Sequence, residues 1–196
     1  MPKVSEAYKE NRRTQILDAA QRCFVRDGFH RTSMQDILTE AGLSAGAVYR
    51  YFPSKDDIIV AIATRNLDHI VAVLRDAADN GDSRGLGATM ADLLTAAQGE
   101  QDEHQLATVA LMVWSEALRN PALADRLAAT DTELRGVLAR LVAEQQKRGT
   151  LPADVPAETL SGVFVAILPG FLLQLALSGP RAVDGLPSAV KGLWPA

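Results

Sequence analysis

Apolar residues recur at spacings of three and four along almost the whole chain, a period that admits packed helices and little else. Over residues 10–27, Ile16, Leu17, Ala20, Cys23 and Phe24 fall on one face, and Gly28 ends the run as glycine does just past a helix. A capping box, Thr32 with Gln35 or Ser33 with Asp36, starts a second helix. Its inner face is Met34, Ile37, Leu38 and Ala41, and Gly42 stops it. Ser44 is placed to cap a third helix over 45–52, which Pro53 breaks. Ser54 with Asp57 launches a fourth over about 55–78. Later helices are predicted at 86–98, 103–119, 121–148 and 156–178, with a short tail near 188–194. Loops fall at 80–83, 149–156 and 179–187. No hairpin signal and no repeat competes with this all-α reading. Hydrophobic residues make up 47% of the 196 and aromatics only 5%, an aliphatic stock that suits helix on helix.

Charge is distributed unevenly. The net value of −4 argues at first against nucleic acid. Residues 1–55, however, hold nine Lys and Arg against six Asp and Glu, giving +3, and the remainder is at −7. A basic head on an acidic body fits a regulator with a separate effector domain. The single cysteine, Cys23, excludes an internal disulfide framework and fits a reducing, cytoplasmic setting. It lies on the apolar stripe and reads as a small core residue. The N-terminus is polar and shows no signal peptide. The longest apolar run, 163–177, is short for a bilayer and interrupted by Pro169-Gly170, so it reads as a buried helix rather than a membrane span. His30, His69 and His104 are scattered, without metal-ligand spacing, and no phosphate-binding glycine loop or nucleophile constellation is present. Nothing here calls for an enzyme, a cofactor or a metal.

The first 55 residues read as a DNA-binding head. Two short helices joined by Ala41-Gly42-Leu43-Ser44 make a helix-turn-helix, with Gly42 allowing the tight turn and Leu43 pinning both helices to the first. The helix after the turn must be small or polar where it enters the major groove. Here that end is Ser44, Ala45, Gly46 and Ala47, and its helix dipole favours phosphate. Val48 and Phe52, four apart, should face the core. Tyr49, Arg50 and Tyr51 lie on the other sides; a phenol hydroxyl and a guanidinium suit phosphate, and arginine also forks onto guanine. Lys55, and the hydroxyls of Thr32 and Ser33, are within reach of backbone phosphates. Each residue also has a plainer use. Thr32, Ser33 and Ser44 serve as caps, Tyr51 packs half against the first helix, and Tyr49 and Lys55 stand in solvent.

The ordered set Ile16-Leu17-Asp18-Ala19-Ala20, Phe24, Gly28-Phe29, Thr32-Ser33-Met34, Asp36-Ile37, Ala41-Gly42-Leu43-Ser44, Gly46, Tyr49-Arg50-Tyr51-Phe52 and Ser54-Lys55 resembles the DNA-binding domain of TetR-family repressors. The close resemblance covers about a quarter of the chain. Two positions depart from it: Ala45 stands where many members carry a basic residue, and Leu38 where alanine is common. The resemblance implies a three-helix DNA-binding domain over 1–54. It implies a helical ligand-binding and dimerisation domain over 55–196, and a homodimer built from the last two long helices of each chain.

The residues support that dimer independently. Leu123, Leu127, Leu134, Leu138 and Leu141 make one apolar stripe. Leu160, Phe164, Ile167, Phe171 and Leu175 make another, while Val163, Leu168 and Leu172 add a second apolar side that asks for cover from a partner. The resemblance also implies an effector pocket in the body. Val73, Met90, Leu94, Met112, Trp114, Phe164 and Phe171 are its candidates, for a small, mostly apolar ligand, and Glu116 is the residue that could meet a cationic group. The expected function is a repressor that binds a palindromic operator in double-stranded DNA and is released by its ligand. An activator, a ligand-independent regulator of the same fold, and a helical interaction module whose head no longer binds DNA are alternatives, since repression and activation use the same contacts.

Overall fold

The computed structural model describes residues 6–79 and 84–194; the loop expected at 80–83 and the polar Met1–Ser5 stretch lie outside them. Among the described residues the chain is helical and contains no strand. The helices are α1 (Glu6–Asp27), α2 (Met34–Ala41), α3 (Ala45–Tyr49), α4 (Lys55–Asp79), α5 (Leu86–His104), α6 (Leu106–Ala117), α7 (Pro121–Lys147), α8 (Ala157–Ser178) and α9 (Leu186–Leu193), with a 3-10 turn at Pro180–Ala182.

Several boundaries differ from the sequence reading, each for a local reason. Helix α1 starts a turn earlier, at Glu6, whose carboxylate pairs with Lys9. Helix α3 ends at Tyr49, and 50–51 continue as turn. Helix α5 runs through Gly99 to His104, and Gln105 breaks it with a left-handed φ of 53°. The tail forms α9 two residues earlier than expected, with Pro187 in its first turn. Helix α8, by contrast, is one helix of 22 residues with Pro169 inside it, as expected over 156–178. By length and composition it could cross a membrane, a test that the core helix of a soluble protein also passes.

Two apolar cores hold the molecule. The first joins Ile16, Leu17, Ala20, Cys23 and Phe24 of α1, Ile37 and Leu38 of α2, Val48 of α3, and Ile58, Ile59 and Ile62 of α4. It does not stop at the head: Val109 and Val113 of α6 and Leu123 of α7 belong to it. The second joins Leu74 of α4, Met90 and Leu94 of α5, Val137, Leu138 and Val142 of α7, Phe164, Phe171 and Leu175 of α8, and Val190 of α9. Helices α4 and α7 therefore run from one core to the other, as does α6, whose Ala107 lies in the second. Polar clamps fix α4 near its middle: Arg65 donates to Asp18 at 2.8 Å and Gln21 at 3.1 Å on α1, and Arg126 of α7 donates to Thr64 at 3.0 Å and Asp68 at 2.8 Å.

Helix α8 is less buried within one chain than its composition predicts. Phe164, Phe171, Leu172 and Leu175 face inward, but Val163 is 50% exposed, Leu173 45% and Leu177 73%. With Thr159, Ala166 and Gly170, also exposed, they form one stripe at alternating spacings of four and three. On α7 the exposed Ala129, Thr132 and Gly136 make a parallel strip of small side chains. The expected second apolar side of α8 is thus real but rotated: Leu172 is buried, and Leu173 and Leu177 take its place on the outside.

Candidate nucleic-acid interface

The head is held by short-range devices that its sequence encodes. Gly28 takes a φ of +81° and closes α1. Ser33 caps α2 in a full capping box: its hydroxyl accepts from the Asp36 amide at 3.2 Å, and its own amide donates to the Asp36 carboxylate at 2.8 Å. The Ser33 hydrogen bonds hold the Asp36 carboxyl below its ordinary range. Gly42, at φ +65°, turns the chain out of α2, and the Leu43 amide donates back to the Leu38 carbonyl at 3.1 Å. The Gln15 side-chain amide donates to the Ala41 carbonyl at 2.9 Å, so α1 grips the end of α2. Arg22 and Arg26 of α1 pair with Glu40 of α2 at 2.8 and 3.1 Å and hold its carboxyl low. The seating of α2 on α1 is therefore held by groups outside the expected contact set.

The ten residues expected at DNA divide into two groups. Ser33, Ser44, Ala45, Gly46, Tyr49 and Arg50 are exposed and Ala47 is half-buried, so α3 presents a low, open end with a phenol and a guanidinium beside it. A Cβ added at Gly46 would meet nothing within 4 Å. Ser44 occupies the cap position of α3 but makes no side-chain cap bond, contrary to expectation; its carbonyl accepts from the Ala47 and Val48 amides instead. The other three residues are turned to the interior. Thr32 is buried, its hydroxyl donating to the Gly28 carbonyl at 2.9 Å, so it does not offer that hydroxyl at the surface. Lys55 is not a free cation: its ammonium donates to the carbonyls of Phe29 at 2.6 Å and Thr32 at 2.9 Å and lies 4.4 Å from the centre of the Phe29 ring. Tyr51 packs partly on the first core. Sequence reasoning missed Gln35 and Thr39. They line an open concavity of about 460 Å³ between α2 and α3 with Leu38, Gly42, Leu43, Ser44 and Ala45. Their signal was available, because both are polar and lie away from the buried Ile37 and Ala41.

The seven expected effector residues are not brought around one open cavity. Met90, Leu94, Phe164 and Phe171 are buried in the second core, with Trp114 packed on it. Val73 is on the outer side of α4, 36% exposed. Met112 packs on the first core and, alone of the seven, lines a groove of about 390 Å³ between the head and the body, with Phe29, His30, Leu111, Glu116 and Leu177. Helical phase gave the inward side for six of the seven, Val73 being the exception, but not which of the two cores each would join. Glu116 is buried and faces the His30 imidazole at 3.4 Å across the junction of α6 with the head. Cys23 is buried, and burial is the main cause of its raised thiol pKa.

The chain is similar in sequence and in fold to known regulatory proteins. A model described as bacterial regulatory proteins, tetR family, matches residues 16–62, and one described as BetI-type transcriptional repressor, C-terminal, matches residues 86–190. An HTH-type transcriptional repressor of Mycobacterium tuberculosis is 28% identical over 176 residues, covering 90% of this chain and 88% of that protein. The HTH-type nicotine-responsive transcriptional repressor HdnoR of Paenarthrobacter nicotinovorans is 28% identical over 177 residues, 89% of each chain. The solved structure of Salmonella enterica GusR superposes with a TM-score of 0.78 at 26% identity, over 97% of this chain and 98% of that one.

Proposed function

The chain belongs to the tetR family of bacterial regulatory proteins, a family of DNA-binding transcriptional regulators and not of enzymes, and we propose that it is a repressor that binds a palindromic operator as a homodimer and leaves it when a small, mostly apolar ligand binds. The observation that carries this reading is the outer face of the head. Ala45 and Gly46 have no bulk and stand exposed, with Ser33, Ser44, Tyr49 and Arg50 around them. Such an end can descend onto base edges in the major groove while the hydroxyls and the guanidinium hold phosphates. Thr32, Lys55 and Tyr51 serve as the frame that positions it.

The uncovered stripe of Val163, Ala166, Gly170, Leu173 and Leu177 supports a dimer in which α7 and α8 of two chains form a four-helix bundle, with Gly170 and Gly136 letting the helices approach. A two-fold axis there sets two heads on half-sites about one helical turn or more apart. A ligand response is supported by HdnoR, a relative whose name describes it as nicotine-responsive. Release would be a population shift: the ligand binds the form whose heads do not match the operator, with a coupling of about 1–3 kcal/mol. A cytoplasmic site of action goes with this reading.

The test is selection of bound sequences from a random duplex library at moderate salt. An enriched palindrome is the expected result. Enrichment of a single, asymmetric half-site would overturn the dimeric operator, and no enrichment at any salt would overturn DNA reading itself. On the selected site, the affinity should fall steeply with salt as phosphate contacts release counterions.

A further inference from the structure

Helix α9 rests on the body in a way its neighbours make specific. Its end lies directly on the backbone of α5: a Cβ at Gly87 would sit 2.2 Å from the Trp194 carbonyl oxygen and 3.2 Å from that of Lys191, so only glycine permits this contact. The Trp194 ring packs at a tilt against Phe164 of α8, with centroids 4.8 Å apart and planes at 55°. Val190 and Val183 are buried beneath, and Gln98 of α5 donates to Asp184 at 2.8 Å in the turn that leads into α9. The same core holds Met90, Leu94, Phe164 and Phe171, and among the described residues the one charged side chain that is buried, Glu116, lies elsewhere, against His30. Phe164, one of the expected effector residues, is therefore in contact with an indole of the protein's own. At eight residues, α9 is too short to persist as a helix in water without those contacts. Its place on the body therefore depends on these tertiary contacts alone.

We propose that the effector site is the slot the Trp194 ring now fills between α5 and α8, that it takes a flat, uncharged aromatic molecule of indole size or somewhat larger, and that α9 is the lid this molecule displaces. This rests on the effector reading above and deepens it. The ligand is uncharged because among the described residues no charged side chain is buried in this core, and burying an unpaired charge there is prohibitive. It is aromatic because Phe164 presents a ring already engaged by a ring. Phe164 neighbours Val163 of the exposed α8 stripe, so a ligand seated on it acts next to the surface that would set the spacing of the two heads. Because ligand and Trp194 compete, the apparent affinity is the intrinsic one reduced by the fraction of molecules with the slot open.

The experiment uses the full chain and N-phenyl-1-naphthylamine, an uncharged fluorescent aromatic. Probe titrations are run on the wild type, Trp194→Ala and Gly87→Ala, and amide hydrogen exchange is followed on the wild type with and without saturating probe. The expected result is faster exchange across 186–193 in the complex, and apparent affinity about ten-fold tighter in both variants, since each removes or loosens the competitor. Unchanged or slower exchange in α9, or equal affinity in all three proteins, overturns the slot and its lid while leaving an interior effector site elsewhere standing. No binding by any form overturns both.

Discussion

Ser33 and Asp36 show how one residue pair does two jobs. Ser33 stands exposed at the outer face of the head, and its amide and hydroxyl are locked by the Asp36 carboxylate. That lock lowers the Asp36 pKa from an ordinary 3.8. A folded pKa below the unfolded one means that the contribution is fully present above pH 3.8 and is lost as pH falls through the folded value. Ser33→Ala should cost about 1 kcal/mol at neutral pH, as loss of a helix cap does. Asp36→Asn should destabilise at neutral pH, and its difference from the wild type should shrink as pH drops below about 4. Urea denaturation at several pH values measures both; a difference that stays constant into acid would mean that the carboxylate contributes nothing through its charge. Cys23, buried on α1 with its thiol pKa raised, is inert packing rather than a redox group.

At the scale of elements, the head depends on a staple between the start of α4 and the loop after α1. Lys55 looks from the sequence like a phosphate-binding hand, because lysine at a helix start beside a DNA-reading motif is usually solvated. The fold instead curls residues 29–32 around its ammonium, where two carbonyls and a ring take it up. Lys55→Met should therefore destabilise the head, by about 1–2 kcal/mol for bonds to a charged donor that is partly exposed. It should leave the salt slope of operator binding nearly unchanged. Arg50→Ala should do the opposite, keeping stability and reducing the slope by about one. Salt titrations of both variants on one operator separate the roles; a drop in slope for Lys55→Met would show that the lysine reaches DNA after all.

Across the whole molecule, the uncovered face of α8 is the largest unmet demand. Leu173 and Leu177 contribute nothing to their own chain's core, yet they lie in register with Val163, Ala166 and Gly170. Such a stripe on a helix this apolar needs a partner surface. Leu173→Glu should leave a folded chain, convert it to monomer in sedimentation, and lower operator affinity at least about a hundred-fold by uncoupling the two heads. A dimer that survives Leu173→Glu would place the interface elsewhere. The clamps of α4, Arg65 to α1 and Arg126 to α7, and the His30–Glu116 contact mark where movement between two such bodies would reach the heads.

What the sequence by itself determined was local. Apolar period, caps and helix-ending glycines specified the helices, the helix-turn-helix and most of the inward-facing residues, Val73 and Leu172 excepted, because those signals act within one or two turns. The small residues of α3 were legible for the same reason: bulk at a position is a property of the residue alone. Only the tertiary structure decided what is long-range. It buried Thr32 under Gly28, used Lys55 on carbonyls 23 and 26 residues away, divided the expected effector residues between two cores, and folded α9 back so that Trp194 meets Phe164. A side chain's periodicity states which way it points, but what it points at depends on segments far along the chain, and no local pattern carries that.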